Sequence, residues 1–96
     1  MTTNARIPKL GDLAVVVDPE HDDVAVAVQH IDAGTVLYRE CGDPITLRTS
    51  VPAGHRFAIR SVPAGAWILQ YGQPFAISRG LVPGDPVNDS TADSEV

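Results

Sequence analysis

Val51-Pro-Ala-Gly-His-Arg-Phe-Ala-Ile-Arg-Ser-Val-Pro-Ala-Gly-Ala-Trp-Ile-Leu-Gln-Tyr-Gly72 decides the reading of this chain. One phrase occurs twice in it, as Val51-Pro52-Ala53-Gly54 and as Val62-Pro63-Ala64-Gly65. Each copy is followed by a short apolar run, Phe57-Ala58-Ile59 and Trp67-Ile68-Leu69. Looser copies lie on either side: Ile31-Asp32-Ala33-Gly34 before Val36-Leu37-Tyr38, and Leu81-Val82-Pro83-Gly84 before Val87. Glycine reaches positive φ without a Cβ clash, and a nearby proline restricts the chain further. Each phrase therefore reads as a tight corner that ends one segment and starts a strand.

Outward from these corners, the other segments read as short strands. Leu13-Ala-Val-Val-Val17 is a continuous apolar run ending in three β-branched valines, expected to be buried on both faces or paired to a partner. In Asp23-Val-Ala-Val-Ala-Val-Gln29, the valines share one face and the alanines the other, and the small face suits close approach of another backbone. Cys41-Gly-Asp-Pro44 is expected to close a hairpin between Val36–Arg39 and Ile45–Thr49, with Ile45 and Leu47 inward. Trp67 to Tyr71 and Phe75 to Ser78 read as strands around a turn at Gly72-Gln73-Pro74, and Pro86 to Asn88 as a terminal strand fragment. No stretch sustains apolar spacing at helical period, so any helix is expected to be a single turn, placed at Arg60–Ala64. Trp67 is expected to lie in the core or an interface as the largest single apolar contributor. The fold class is thus mostly β: short twisted strands with at most single-turn helices.

The chain has 96 residues, which suggests one domain with a thin core. The expected layout is a flexible arm at 1–12, a β domain at 13–88 and a disordered acidic tail at 89–96. The net charge of −5 opposes nucleic acid and anionic membrane surfaces as partners. A single cysteine excludes an internal disulfide, and no leader-like or membrane-spanning run is evident, so a cytoplasmic location is expected. Thin, short-stranded domains with open edges tend to self-associate, so a homodimer is expected when the chain is isolated.

The phrases Asp23-Val-Ala-Val-Ala-Val28, Ile31-Asp-Ala-Gly34, Gly54-His-Arg-Phe-Ala-Ile59, Val62-Pro-Ala-Gly65, Tyr71-Gly-Gln-Pro74 and Leu81-Val-Pro-Gly84 follow one another in order. Together they resemble the N-terminal SAF-type domain of the altronate and galactarate dehydratase family over roughly Leu13 to Asn88. They are also similar to the small subunit of sulfolactate sulfo-lyase. The resemblance implies a β-clip fold that accompanies a larger catalytic part, either a hydro-lyase acting on a sugar acid or a sulfo-lyase acting on a sulfo-acid. The implied partner is a large lyase subunit. A divalent metal is expected there, and no cofactor in this chain. A binding or assembly module of the same fold without chemistry is the alternative.

The resemblance places His55 at a catalytic position and Arg56, Tyr71 and Asp23 at substrate-binding ones. His titrates near neutrality and could pass a proton, or His55 could be a surface histidine beside a turn. The Arg56 guanidinium could hold a carboxylate with two parallel bonds, or be a solvated strand end. Tyr71 could reach a substrate or simply pack its ring. Gln70 stands where the family usually has lysine, which keeps a hydrogen bond and loses a charge. The family's alternating histidines are absent from Gly84-Asp-Pro-Val-Asn-Asp-Ser90, so no metal site is expected there. His21-Asp22-Asp23 reads as a solvated turn, since three adjacent residues rarely converge on one ion. Cys41, next to Glu40, is not expected to be a nucleophile, because a neighbouring negative charge raises a thiol's pKa.

Overall fold

A computed structural model of the chain describes residues 8–39, 42–88 and 90–93. The elements run α1 (Leu10–Leu13), β1 (Ala14–Val15), β2 (Val24–Ala27), β3 (Val36–Leu37), β4 (Ile45–Thr46), β5 (Arg56–Ala58), β6 (Trp67–Gln70), β7 (Gln73–Ser78) and β8 (Ala92–Asp93). They form three small sheets, ordered β1-β2-β5, β3-β4 and β6-β7-β8, and every named pair is antiparallel. The mostly β class expected from the sequence is therefore observed.

The four corner phrases organise the fold. Gly34, Gly54, Gly65 and Gly84 all have φ between 85° and 97°, the region a glycine enters without strain. In each phrase the residue after the glycine closes a four-residue turn, as where His55 N–H donates to Pro52 O at 3.0 Å. The turn glycine then donates its own N–H to a neighbouring strand, Gly54 to Ala27 O at 2.7 Å and Gly84 to Ala58 O at 2.9 Å. The phrases also pair with each other at their first residues. Ile31 and Val51 exchange both backbone hydrogen bonds, and so do Val62 and Leu81. All four of these side chains are buried.

This pairing divides the interior into two clusters. Ile31 and Val51 join Leu37, Ile45, Leu47, Phe57 and Ile59 in the first, and Val62 and Leu81 join Ile68, Ala76 and Ala92 in the second. Strands β2 and β5 serve both, because successive residues point to opposite faces. Ala25 and Ala27 with Phe57 face the first cluster, and Val24 with Ala58 faces the second. The alanine face, expected to suit another backbone, instead lies among the side chains of the first cluster. Ile45 and Leu47 point inward as expected.

Several expectations need correction. The run at 13–17 is not buried on both faces: Leu13 ends the helix, and Val15 and Val17 are 48% and 46% exposed. The single-turn helix lies at Leu10–Leu13, not at Arg60–Ala64. Val62 commits its N–H and C=O to Leu81, and that bridge excludes a helical turn there. The β6–β7 turn is Tyr71-Gly72, and Gln73 and Pro74 already belong to β7. Trp67 is 47% exposed because the alternation that turns Ile68 inward turns Trp67 outward. Phe57, fully buried, is the largest core side chain instead.

The described residues nearest each end pair with the domain. The arm expected at 1–12 enters the described residues at Pro8, where Tyr38 N–H donates to Pro8 O at 2.9 Å and Leu10 N–H to Tyr38 O at 2.8 Å. Within the tail expected to be disordered, residues 92–93 instead form β8 against Ile77 and Ser78, and Ala92 is buried. Residues 1–7, Cys41 with its neighbour Glu40, Asp89 and residues 94–96 lie outside the described residues. No helix among the described residues is long and apolar enough to cross a membrane.

Candidate functional site

Arg56 opens β5, the most fully paired strand near the middle of the chain. On one side β5 pairs with β2, placing Arg56 opposite Val26. On the other, Val87 N–H donates to Arg56 O at 3.1 Å and Ala58 N–H to Asp85 O at 2.8 Å. A side chain rooted there starts from a fixed backbone. Its guanidinium is fixed as well. Arg56 Nε donates to Gln70 Oε1 at 2.5 Å, and the guanidinium carbon lies 4.9 Å from the centre of the Phe75 ring. A cation over an aromatic face is attracted by the ring's negative face. Among the described residues, neither terminal nitrogen of Arg56 has an acceptor.

Gln70 is 5% exposed and ends β6, with Ile68 inward on the same face. The chain then reverses through Tyr71 and Gly72, with φ of 58° and 71°. Two successive positive φ values define the hairpin turn whose twist matches that of its flanking strands. Glycine is suited to the second position, whereas a tyrosine at the first is strained. Tyr71 is 63% exposed, so core packing does not hold it there. The hold comes from Asp22. Its Oδ1 accepts Gly72 N–H at 2.8 Å and its Oδ2 accepts Asp18 N–H at 3.0 Å. Burial alone would raise the pKa of this carboxyl. The backbone hydrogen bonds from Gly72, Asp18 and Tyr71, with the charge of Arg60, outweigh burial and leave it below the usual carboxylate value.

Asp23 does parallel work one residue on. Its Oδ2 accepts Leu69 N–H at 2.9 Å, where the β6–β7 register shifts between Ile68 and Leu69. One oxygen of Asp23 is thus occupied by the strand that carries Gln70. His55 follows the Gly54 corner, and its carbonyl accepts Ala27 N–H at 2.9 Å. Its imidazole is exposed and has no hydrogen-bond partner among the described residues. Alternation along the strand turns His55 and Arg56 toward opposite faces. The structure therefore brings Arg56, Gln70 and Phe75 together. It places Tyr71 at the exposed hairpin tip after Gln70 and leaves His55 at the strand's entrance, neither with a side-chain contact to Arg56 among the described residues.

The sequence reading missed Gln70 as a partner of Arg56, having registered it only as a departure from lysine. It also missed Asp22. The His21-Asp22-Asp23 turn is not uniformly solvated: His21 is exposed beside Asp18 Oδ2, but Asp22 is fully buried. No signal within the turn separates the buried aspartate from its neighbours. Among the described residues, no three His, Cys, Asp or Glu side chains come together to hold a metal ion. An apolar groove of about 540 Å³ lies elsewhere, between α1, Val16, Pro19, Tyr38 and Ile59.

Corner-linked short strands in three antiparallel sheets make this a small mostly β domain, as in the SAF class. A sequence profile for the altronate/galactarate dehydratase SAF domain matches residues 13–90, and the chain belongs to that family. It is also similar to the altronate dehydratase of Escherichia coli (strain K12), 38% identical over 53 residues. That match covers 55% of this chain and 10% of the relative, so the chain spans a small fraction of the curated protein it matches.

Proposed function

We propose that this chain is the small-subunit or N-terminal-domain part of a sugar-acid hydro-lyase, completing a substrate site supplied mainly by a larger catalytic subunit. The observation that carries this reading is the Arg56 guanidinium, fixed by Gln70 and Phe75 with its terminal nitrogens unpaired among the described residues. A substrate carboxylate suits two parallel N–H donors. The reaction removes the proton α to that carboxylate and expels the β-hydroxyl as water, and the resulting enol becomes a keto acid. Charge on the enediolate needs cationic support, which a guanidinium on the carboxylate helps to supply. In this reading Tyr71 borders the substrate from the hairpin tip. Asp23 acts by holding β6, with its second oxygen able to meet a hydroxyl. His55 passes a proton at the junction with the large subunit.

A partner surface adjoins Arg56. Val15, Val26 and Val28 share the sheet face on which Arg56 lies, and Val15 and Val28 are about half exposed. An apolar sheet face with an open edge strand suits contact with a second protein.

The test is to mix the chain with a large lyase subunit encoded beside it and to assay altronate and galactarate for loss of water. Turnover that requires both chains supports the reading. Full turnover by the large subunit alone, or by a pair carrying Arg56→Ala, removes it. Unchanged turnover with His55→Ala removes the assignment of His55 only. Ligand binding without turnover in any pairing identifies a binding module instead.

A further inference from the structure

We propose that Gln70 is a positioning residue that sets Arg56 as a receptor for a carboxylate. The inference rests on the reading of Arg56 given above and deepens it.

A flexible arginine binds an anion weakly, because ordering its side chain costs rotamer entropy. Here that ordering is in place before any ligand arrives. The backbone of Arg56 is paired on both sides, by β2 and by Val87. Its Nε–H is occupied by Gln70 Oε1 and its flat face by the Phe75 ring. What remains is the edge that bears the two terminal nitrogens. That edge suits a carboxylate taken with two parallel bonds from Nη1 and Nη2. Gln70 is itself held. It is buried on the Ile68 face of β6 and precedes the Tyr71-Gly72 turn that Asp22 clamps.

The choice of an amide matters chemically. A carboxylate at position 70 would also accept the Nε–H, but it would neutralise the guanidinium and compete with the ligand. A lysine there could not accept at all and would repel Arg56. Glutamine orients the cation and leaves its charge available. The site therefore recognises one carboxylate through one arginine, and an uncharged polyol of the same carbon skeleton should not bind.

Titration of the ¹⁵N-labelled full chain with altronate, and separately with the uncharged altritol, tests this. The Arg56 Nε–H resonance is the readout that a merely structural role for Gln70 would not move. In the unsubstituted chain it is expected as a sharp, slowly exchanging signal that shifts saturably with altronate and not with altritol. Gln70→Leu should broaden that signal and weaken altronate binding about tenfold or more, through lost preorganisation. Gln70→Glu keeps an acceptor oxygen and should keep the signal sharp while weakening altronate by at least as much. Backbone spectra of both variants report whether the fold survives. Should Gln70→Leu alone disrupt it, the Gln70→Glu comparison still decides. If altronate shifts Arg56 and Arg56→Lys abolishes binding, but neither Gln70 variant weakens it, the positioning role is overturned and the reading of Arg56 stands. If altronate leaves Arg56 unmoved in the unsubstituted chain, Gln70 does not prepare a carboxylate receptor and the inference is overturned, while turnover of the pair carrying Arg56→Ala decides the reading of Arg56.

Discussion

Asp22 Oδ1 accepts the backbone N–H of Gly72 at 2.8 Å, across fifty residues of chain. This bond fastens the loop after β1 to the tip of the β6–β7 hairpin. Asp22 is fully buried, and its other oxygen closes the loop on Asp18. The hairpin tip is thus shaped by a residue far away in sequence, and the geometry beside Gln70 and Arg56 depends on it.

The pH dependence of stability should carry the signature of Asp22. Its folded pKa lies below its unfolded value of about 3.8, so the unfolded chain binds the proton more tightly. Its stabilisation is fully present above the unfolded value and is lost as pH falls through the folded one. Urea midpoints measured from pH 7 down to pH 2 should fall below about pH 4, and Asp22→Asn should flatten that fall. At pH 7, Asp22→Asn should cost roughly 1–3 kcal/mol, because an amide NH₂ then faces a backbone donor. Equal slopes for the two proteins below pH 4 would show that other carboxylates carry the acid sensitivity.

Tyr71 stores strain at φ 58° while 63% exposed. The left-handed region costs a residue with a Cβ about 1–2 kcal/mol, and glycine's extra unfolded-state entropy offsets part of any relief. Tyr71→Gly should therefore leave stability unchanged or raise it by up to about 1 kcal/mol. Tyr71→Val should lower it, since a β-branched residue fits this region worst. In the proposed pairing with a large lyase subunit, Tyr71→Gly should reduce turnover despite a stable fold. Loss of both stability and turnover would mean that the ring packs more than its exposure indicates.

The corners and the alternating cores were legible because each rests on local rules. A glycine after Pro-Ala has a local reason to turn, and Ile45 and Leu47 alternate inward because a strand has period two. What was not legible depends on distant partners. Nothing in Arg60–Ala64 announces that Val62 must pair with Leu81. Tyr71 looks like a strand end unless Asp22 is known to hold the next amide. Trp67 looks like core by size, and only the inward turn of Ile68 places it outside. Of the site, Arg56 and Tyr71 were named from the resemblance. The bond from Arg56 to Gln70 joins two strands whose separation the sequence does not fix.

Gly84 should be the least replaceable of the corner glycines. A Cβ there would sit 2.1 Å from Thr46 O, whereas the same atom at Gly54 would meet nothing within 4 Å. Gly54→Ala should then cost only the conformational penalty of about 1–2 kcal/mol. Gly84→Ala adds overpacking against backbone and should cost about 3 kcal/mol or more in total. Thermal unfolding of the two variants measures the difference. Similar losses would mean that the β4 backbone yields more easily than its hydrogen bonds suggest.

Phe57 and Trp67 offer a comparison in which residue size and position disagree. Phe57 is fully buried in the first cluster, on a strand that also feeds the second, while Trp67 is 47% exposed at the start of β6. Phe57→Ala leaves a cavity enclosed by Leu37, Ile45 and other members of that cluster, and should cost about 3–5 kcal/mol. At the low end of the usual stability of about 5–15 kcal/mol, that is enough to unfold a large share of the chain. Phe57→Leu, which keeps most of the volume, should retain a measurable transition. Trp67→Ala removes a larger side chain but leaves no enclosed cavity, so it should cost less than half as much. Equilibrium urea unfolding of these variants checks the order. A loss for Trp67→Ala equal to that for Phe57→Ala would place the indole against apolar surface that its exposure in the isolated chain does not reveal. A surface of that kind would have to come from a second copy of the chain, and the dependence of the midpoint on protein concentration would expose it.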